Sequence, residues 1–307
     1  MNNYIHPFYV NAFFFVSGYL LFRKQLLAPI ISESRLDYIT VGGGNVLFMN
    51  VLYKLMLPTI VFSIIEYLPK KLLRAEPIEL HTILSNTIGG GTYWFTSALL
   101  VAEFVILLLL LTRKSSIWFY LCFCLSVAFL GWYLIRVDFH LFGFGRDPWA
   151  YRRGFLATAF LASGGLYWKY ESLFERYKKY LFPLTAIIYI LVFTFGVSSF
   201  RVLISTMDIN LIGGIASAVG CVLLVYVCKR LPINRYLSFV GQYSLCFYFL
   251  SGALPMIMSS LFRRFVPGEH IWGLMIVFAL CISIAYGITW FMNKYMSFLF
   301  DFRKLKK

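Results

Sequence analysis

A few ionisable and large aromatic side chains stand within or beside long apolar runs, and they are the groups able to do chemistry. Glu103 lies in the middle of an apolar run over 92–112, where a helix puts Thr92, Thr96, Leu99 and Glu103 on one stripe. An unpartnered carboxylate facing lipid is too costly, so that stripe is expected to face the protein interior. There Glu103 either pairs with a neighbouring helix or acts on a ligand. Lys54, four residues before Pro58 in the preceding run, either snorkels to headgroups or meets an anionic substrate. Arg152 and Arg153 follow Asp147-Pro148-Trp149. Adjacent helical residues point about 100° apart, so at most one of the two faces inward and the other anchors at the interface. Trp94 opens its run after Gly89-Gly90-Gly91, and Tyr248 shares a stripe with Ser244, Ser251 and Pro255. His6, His81, His140 and His270 all fall near the ends of apolar runs. His6 is the best placed of them, although a lone interfacial histidine is ordinarily inert. Proton transfer and capture of an anion are the chemistries open to this set. No nucleotide-binding glycine loop, metal-ligand motif or serine nucleophile elbow is present.

The elements that position these groups follow from composition. Of 307 residues, 60% are hydrophobic and only 13% charged, against about 25% charged in a soluble domain. Mean hydropathy is +0.77. An all-α, polytopic integral membrane bundle follows, because backbone in lipid must satisfy its hydrogen bonds within each segment. Runs of about twenty apolar residues exclude a barrel of short alternating strands. The six cysteines lie in or at the ends of apolar runs and read as small packing residues. The net charge of +15 sits in short clusters between those runs. That placement suits membrane lipids as partners and gives no footprint for nucleic acid.

Nine spans are expected, at about 4–22, 46–68, 92–112, 116–135, 149–168, 180–198, 208–228, 236–259 and 271–293, in a single domain over 1–307. The first carries no charge from Tyr4 to Phe22, measures roughly 28 Å as a helix, and stops at Arg23-Lys24. A signal peptide would carry its charge ahead of the run, so this reads as a mature span. In the seventh, Gly213, Gly214, Ala216, Ser217, Ala218 and Gly220 form a helix-packing surface.

Alternate loops differ in basic content. The side holding Arg23 and Lys24, Arg113 and Lys114, Lys169 to Lys179, Lys229 to Arg235 and the lysine-rich C-terminus is the richer. It is assigned to the cytoplasm of a cell (cytoplasmic or inner) membrane, with Met1 outside. A span so close to an external N-terminus leads us to expect a further helix upstream.

Several stretches together resemble the acyltransferase 3 family of integral membrane sugar O-acyltransferases. Phe13-Phe14-Phe15-Val16-Ser17-Gly18-Tyr19-Leu20 resembles its aromatic Ser-Gly signature, and Lys54-Leu55-Met56-Leu57-Pro58 is similar to its basic-to-proline segment. Tyr93-Trp94-Phe95-Thr96-Ser97-Ala98-Leu99 looks like its Trp-Phe helix. Arg153-Gly154-Phe155 through Gly164-Gly165-Leu166, and Leu237-Ser238-Phe239-Val240-Gly241-Gln242-Tyr243-Ser244-Leu245, resemble two later motifs. The matches run in order over about 6–260. The family's first span, ending in a Gly-His pair, has no counterpart here. Tyr9 stands where a histidine often precedes the Ser-Gly, with His6 out of register, and Val51 and Ser251 replace a basic residue and a late histidine.

The resemblance implies acyl transfer from acetyl-CoA (or another acyl-CoA), without a metal, to a hydroxyl of a surface glycan or its lipid-linked precursor. That reaction needs a base, oxyanion stabilisation and cations for the donor phosphates. His6 and Glu103 are the catalytic candidates, and Lys54, Arg152 and Arg153 are cations for substrate. Trp94 and Tyr248 are candidates to stack on or bond to a sugar. A lipid-linked-sugar transporter or polymerase, or an inactive truncated family member, would also suit scattered interior polar groups.

Overall fold

The computed structural model describes residues 9–23, 43–74, 77, 80–87, 89–111, 117–140, 147–196, 211–232, 234–265 and 271–296. His6 lies outside them. Among the described residues the regular structure is helical throughout, with no strand. The helices are α1 (Tyr9–Arg23), α2 (Gly43–Arg74), α3 (Leu80–Thr87), α4 (Trp94–Leu111), α5 (Ile117–Arg136) and α6 (Tyr151–Lys169). They continue with α7 (Glu171–Arg176), α8 (Lys178–Gly196), α9 (Leu211–Cys228), α10 (Arg235–Gln242), α11 (Ser244–Phe265) and α12 (Ile271–Tyr295).

Among the described residues the expected apolar runs are largely helical, but their lengths differ. Among the described residues three helical stretches are long and apolar enough to cross a membrane: Phe119–Arg136, Ser244–Phe262 and Trp272–Tyr295. Val10–Arg23, Trp94–Leu109 and Ser217–Cys228 are apolar but shorter. The expected run over 236–259 is divided: α10 ends at Gln242, Tyr243 leaves helical geometry at φ −110° and ψ 24°, and α11 starts at Ser244. The reason is legible in the residues. Asn234 caps the backbone N–H of Tyr236, and α10 alternates Arg235, Ser238 and Gln242 with apolar residues, a surface-helix pattern. Met275 and Phe278 on α12 are 69% and 67% exposed, an arrangement stable in lipid and costly in water.

The chain forms two compact units. The first comprises Met1–Val51 and Trp94–Leu231, and the second Leu52–Tyr93 and Pro232–Lys307. In the first, α6 is central and packs on α1, α4 and α5, while α9 packs on α1 and α8. Small residues on α6 make this possible. A side-chain carbon at Gly164 would collide with the Phe15 carbonyl oxygen, and one at Gly18 with the Leu161 carbonyl oxygen. Helix backbones can approach this closely only where no Cβ intervenes. At the next crossing, a Cβ at Gly154 would lie 2.6 Å from Val101 Cβ on α4. A polar bond crosses the apolar interior of this unit: Asn11 Nδ2 of α1 donates to Ser217 Oγ of α9 at 2.5 Å.

The second unit is organised by Phe62 of α2 and Phe249 of α11, stacked at 4.6 Å with 7° between planes. Tyr93, Cys246 and Met292 complete that core. α11 packs on α12, and Tyr236 of α10 stacks on Tyr286 of α12 at 5.8 Å.

Candidate functional site

In the first unit, the two adjacent arginines separate as their 100° offset requires. Arg152 turns inward and is 4% exposed. Its Nε donates to Asp147 Oδ2 at 2.5 Å, and Nη1 donates to Asp138 Oδ1 at 3.0 Å and to the Leu134 carbonyl at 3.4 Å. Both carboxylates also flank His140, whose Nε2 is 3.2 Å from Asp138 Oδ1 and whose Nδ1 is 3.4 Å from Asp147 Oδ1. The backbone around this cluster is strained. Asp138, Trp149 and Ala150 take φ of 53°, 55° and 47°, each at a cost of about 1–3 kcal/mol outside glycine. Arg152 and the Tyr151 hydroxyl, which donates to the Phe139 carbonyl at 3.0 Å, tie the end of α5 to the start of α6. Nε and Nη1 of Arg152 thus form a latch between the two helix ends. Outside the spans, the Arg152 hydrogen bond holds the Asp138 carboxyl below its usual range.

Arg153 is the freer guanidinium, with its Cζ 4.9 Å from the ring centroid of Trp94 on α4. Two expected substrate residues thus meet as a cation–π pair. Trp94 is followed by Phe95, which packs on Phe14 at 4.9 Å and on Phe13 at 5.6 Å, so α4 is keyed to α1 beside the indole. Thr96 and Leu99 are buried, as the stripe on α4 requires, and Glu103 is half-buried farther along it.

The second unit holds a carboxylate to which sequence reasoning assigned nothing. Glu66 of α2 is 3% exposed. The Tyr93 hydroxyl lies within hydrogen-bond reach of the Glu66 carboxylate and of the Phe249 carbonyl, at 3.0 Å. Gly252 of α11 leaves the space that Glu66 fills, because a Cβ there would be 2.7 Å from Glu66 Oε1. The Tyr248 ring meets Tyr93 edge-on at 5.8 Å, so Tyr248 borders this carboxylate site. The stripe that it shares with Ser244, Ser251 and Pro255 faces largely outward. Ser244, Ser251 and Pro255 are exposed, and the buried face of α11 is that of Cys246 and Phe249. Ser251 Oγ is spent on the Tyr248 carbonyl at 2.7 Å. Lys54 is exposed on α2. It precedes Glu66 by twelve residues on that helix, or about 18 Å of rise.

The signal that could have found Glu66 was available: a carboxylate within an apolar run, of the kind that singled out Glu103. It sits near the end of its expected span, close to Lys70 and Lys71, and reads there as an interfacial charge. No family model, no curated protein and no solved structure matches this chain.

Proposed function

We propose that the protein is a multi-pass membrane O-acyltransferase of the acyltransferase 3 type. It moves an acyl group from acyl-CoA (acetyl-CoA in the simplest case) to a hydroxyl of a cell-surface glycan or its lipid-linked precursor. In this reading nine helical runs cross a cell membrane with the lysine-rich C-terminus in the cytoplasm. The observation that carries it is that the resembling segments interlock within the first unit. Gly18 lies against Leu161, Gly164 against Phe15, Gly154 against the Ala98 carbonyl, and Phe95 against Phe14.

The chemistry needs a base, and Glu66 is the buried carboxylate with an oriented neighbour. It takes the proton of the acceptor hydroxyl as that oxygen bonds to the acyl carbon. The carbon–sulfur bond of the donor breaks, and the proton passes to the departing thiolate. Tyr93 stands beside the carboxylate, its one hydroxyl proton shared between Glu66 and the Phe249 carbonyl. Lys54 is too far along α2 to touch the same atom and is assigned the donor phosphates.

The test is transfer of radiolabel from acetyl-CoA to glycan or lipid-linked oligosaccharide by protein reconstituted in lipid nanodiscs. Transfer that is lost in Glu66→Gln is the expected result. Absence of both donor binding and transfer, with altered glycan export or length on deletion, would establish the transporter or polymerase reading instead.

A further inference from the structure

The first unit contains a cavity of about 350 Å³ that the acyl-transfer chemistry does not use. Its walls include Phe15 of α1, Ser163 and Tyr167 of α6, Phe174 of α7 and Val222 of α9, and they are almost entirely carbon. Ser163 turns its hydroxyl to the Phe160 carbonyl at 2.7 Å. A solvent-filled hole of this composition is unfavourable, whereas hydrocarbon fits it.

One end of the cavity is tied to charge. Tyr170 and Phe174 also line it, and α7 is strapped across that end by three side chains. The Tyr226 hydroxyl donates to the Phe174 carbonyl at 3.1 Å, the Tyr19 hydroxyl donates to Glu171 at 3.0 Å, and Lys229 Nζ reaches Glu175 at 3.0 Å. The Lys229 ammonium also stands 5.6 Å from the ring centroid of the cavity-lining Tyr167. These bonds occupy both carboxylates of α7 and Lys229. Exposed cations lie within or flank α7, at Lys169, Arg176, Lys178 and Lys179, and among the described residues one of them pairs with those carboxylates, Lys178 with Glu175 at 3.6 Å. Exposed Tyr177 and Tyr180 accompany them, the amphipathic rings typical of a headgroup layer.

We propose that this cavity holds one acyl chain of an anionic bilayer phospholipid, with Lys169 and Arg176 taking its phosphate. Charge complementarity selects the occupant. A purely apolar guest has no use for the cations beside Tyr170 and Phe174, and a soluble phosphate has none for a carbon-lined cavity. Clustered cations at a helix end beside an apolar cleft are the recurrent composition of an anionic-lipid site. This inference does not rest on the acyl-transfer reading, and lipid occupancy is measured without any donor or acceptor.

The experiment uses the whole chain, delipidated in detergent and titrated with phosphatidylglycerol, with phosphatidylcholine of the same chains, and with glycerol phosphate, read by native mass spectrometry. At least tenfold preference (about 1.4 kcal/mol) for phosphatidylglycerol over phosphatidylcholine, and no retention of glycerol phosphate, is expected. The Lys169→Gln/Arg176→Gln double variant loses the preference while still retaining chains. Ala218→Phe, at another wall residue, loses retention. Equal retention of both lipids by the natural chain overturns the proposal. Should Ala218→Phe fail to fold, a phosphatidylglycerol with a photoreactive group in its acyl chain decides on the unaltered protein. Adducts on Phe15, Tyr167 or Val222 support the site, and adducts confined to exposed positions such as Leu184 or Met275 overturn it.

Discussion

The Phe15 carbonyl oxygen on α1 stands in the space that any side chain at Gly164 on α6 would need, and the reciprocal holds for Leu161 and Gly18. Two helix backbones therefore touch at two points one turn apart. Because the obstructing atoms are main-chain, they cannot rotate away. Gly164→Ala and Gly18→Ala are expected to destabilise the first unit by about 1–3 kcal/mol each. Gly287→Ala, where a Cβ meets nothing within 4 Å, is expected to be neutral or slightly stabilising as a helix former. Thermal unfolding of the detergent-solubilised variants checks the contrast.

Glu66→Gln keeps the volume beside Gly252 and removes the charge. If Glu66 carries the proton, acyl transfer falls by about 10²–10⁴-fold with little change in thermal stability. Tyr93→Phe, which removes the hydroxyl reaching Glu66 and the Phe249 carbonyl, is expected to lower both transfer and stability. Initial rates and melting curves on the same preparations separate the two.

Arg153 over Trp94 is a coupled pair. Trp94→Leu and Arg153→Met should each lower the stability of the first unit, and the double variant should cost less than the sum, with a coupling of about 0.5–2 kcal/mol. A double-mutant cycle on thermal stability reads it. Asp147→Asn, by contrast, frees one arm of the Arg152 latch. It should cost about 1.5–3 kcal/mol of stability through a lost charged hydrogen bond.

The pH dependence of the α7 strap has a definite sign. Burial works to lower the Lys229 ammonium, but its hydrogen bonds to Glu171 and Glu175 outweigh it and raise the group above its ordinary 10.5. That stabilisation is complete below 10.5 and is lost as pH rises through the higher folded value. The Lys229 hydrogen bond holds Glu175 below its ordinary 4.5. This second contribution is present above 4.5 and is lost as pH falls through the lower folded value. Lys229→Met should therefore show a smaller loss of melting temperature than the natural chain at both extremes.

The sequence by itself determined the class of this protein and most of its helices. Low charge and apolar runs leave the backbone no other way to satisfy itself, and the 100° offset of adjacent residues already separated Arg152 from Arg153. The buried stripe through Thr96 and Leu99 was readable for the same reason. Which arginine turned inward was decided by Asp138 and Asp147, whose proximity depends on a strained turn that periodicity does not encode. Helix periodicity also ran through Tyr243 without marking the break there, since apolar residues continue on both sides. Glu66 became a site only when α2 and α11 were brought together, because its meaning lies in Tyr93 and in the missing side chain of Gly252. Local patterns fix what one helix does with its own faces, whereas pairing between distant segments is settled by packing, where a single absent Cβ decides which groups can touch.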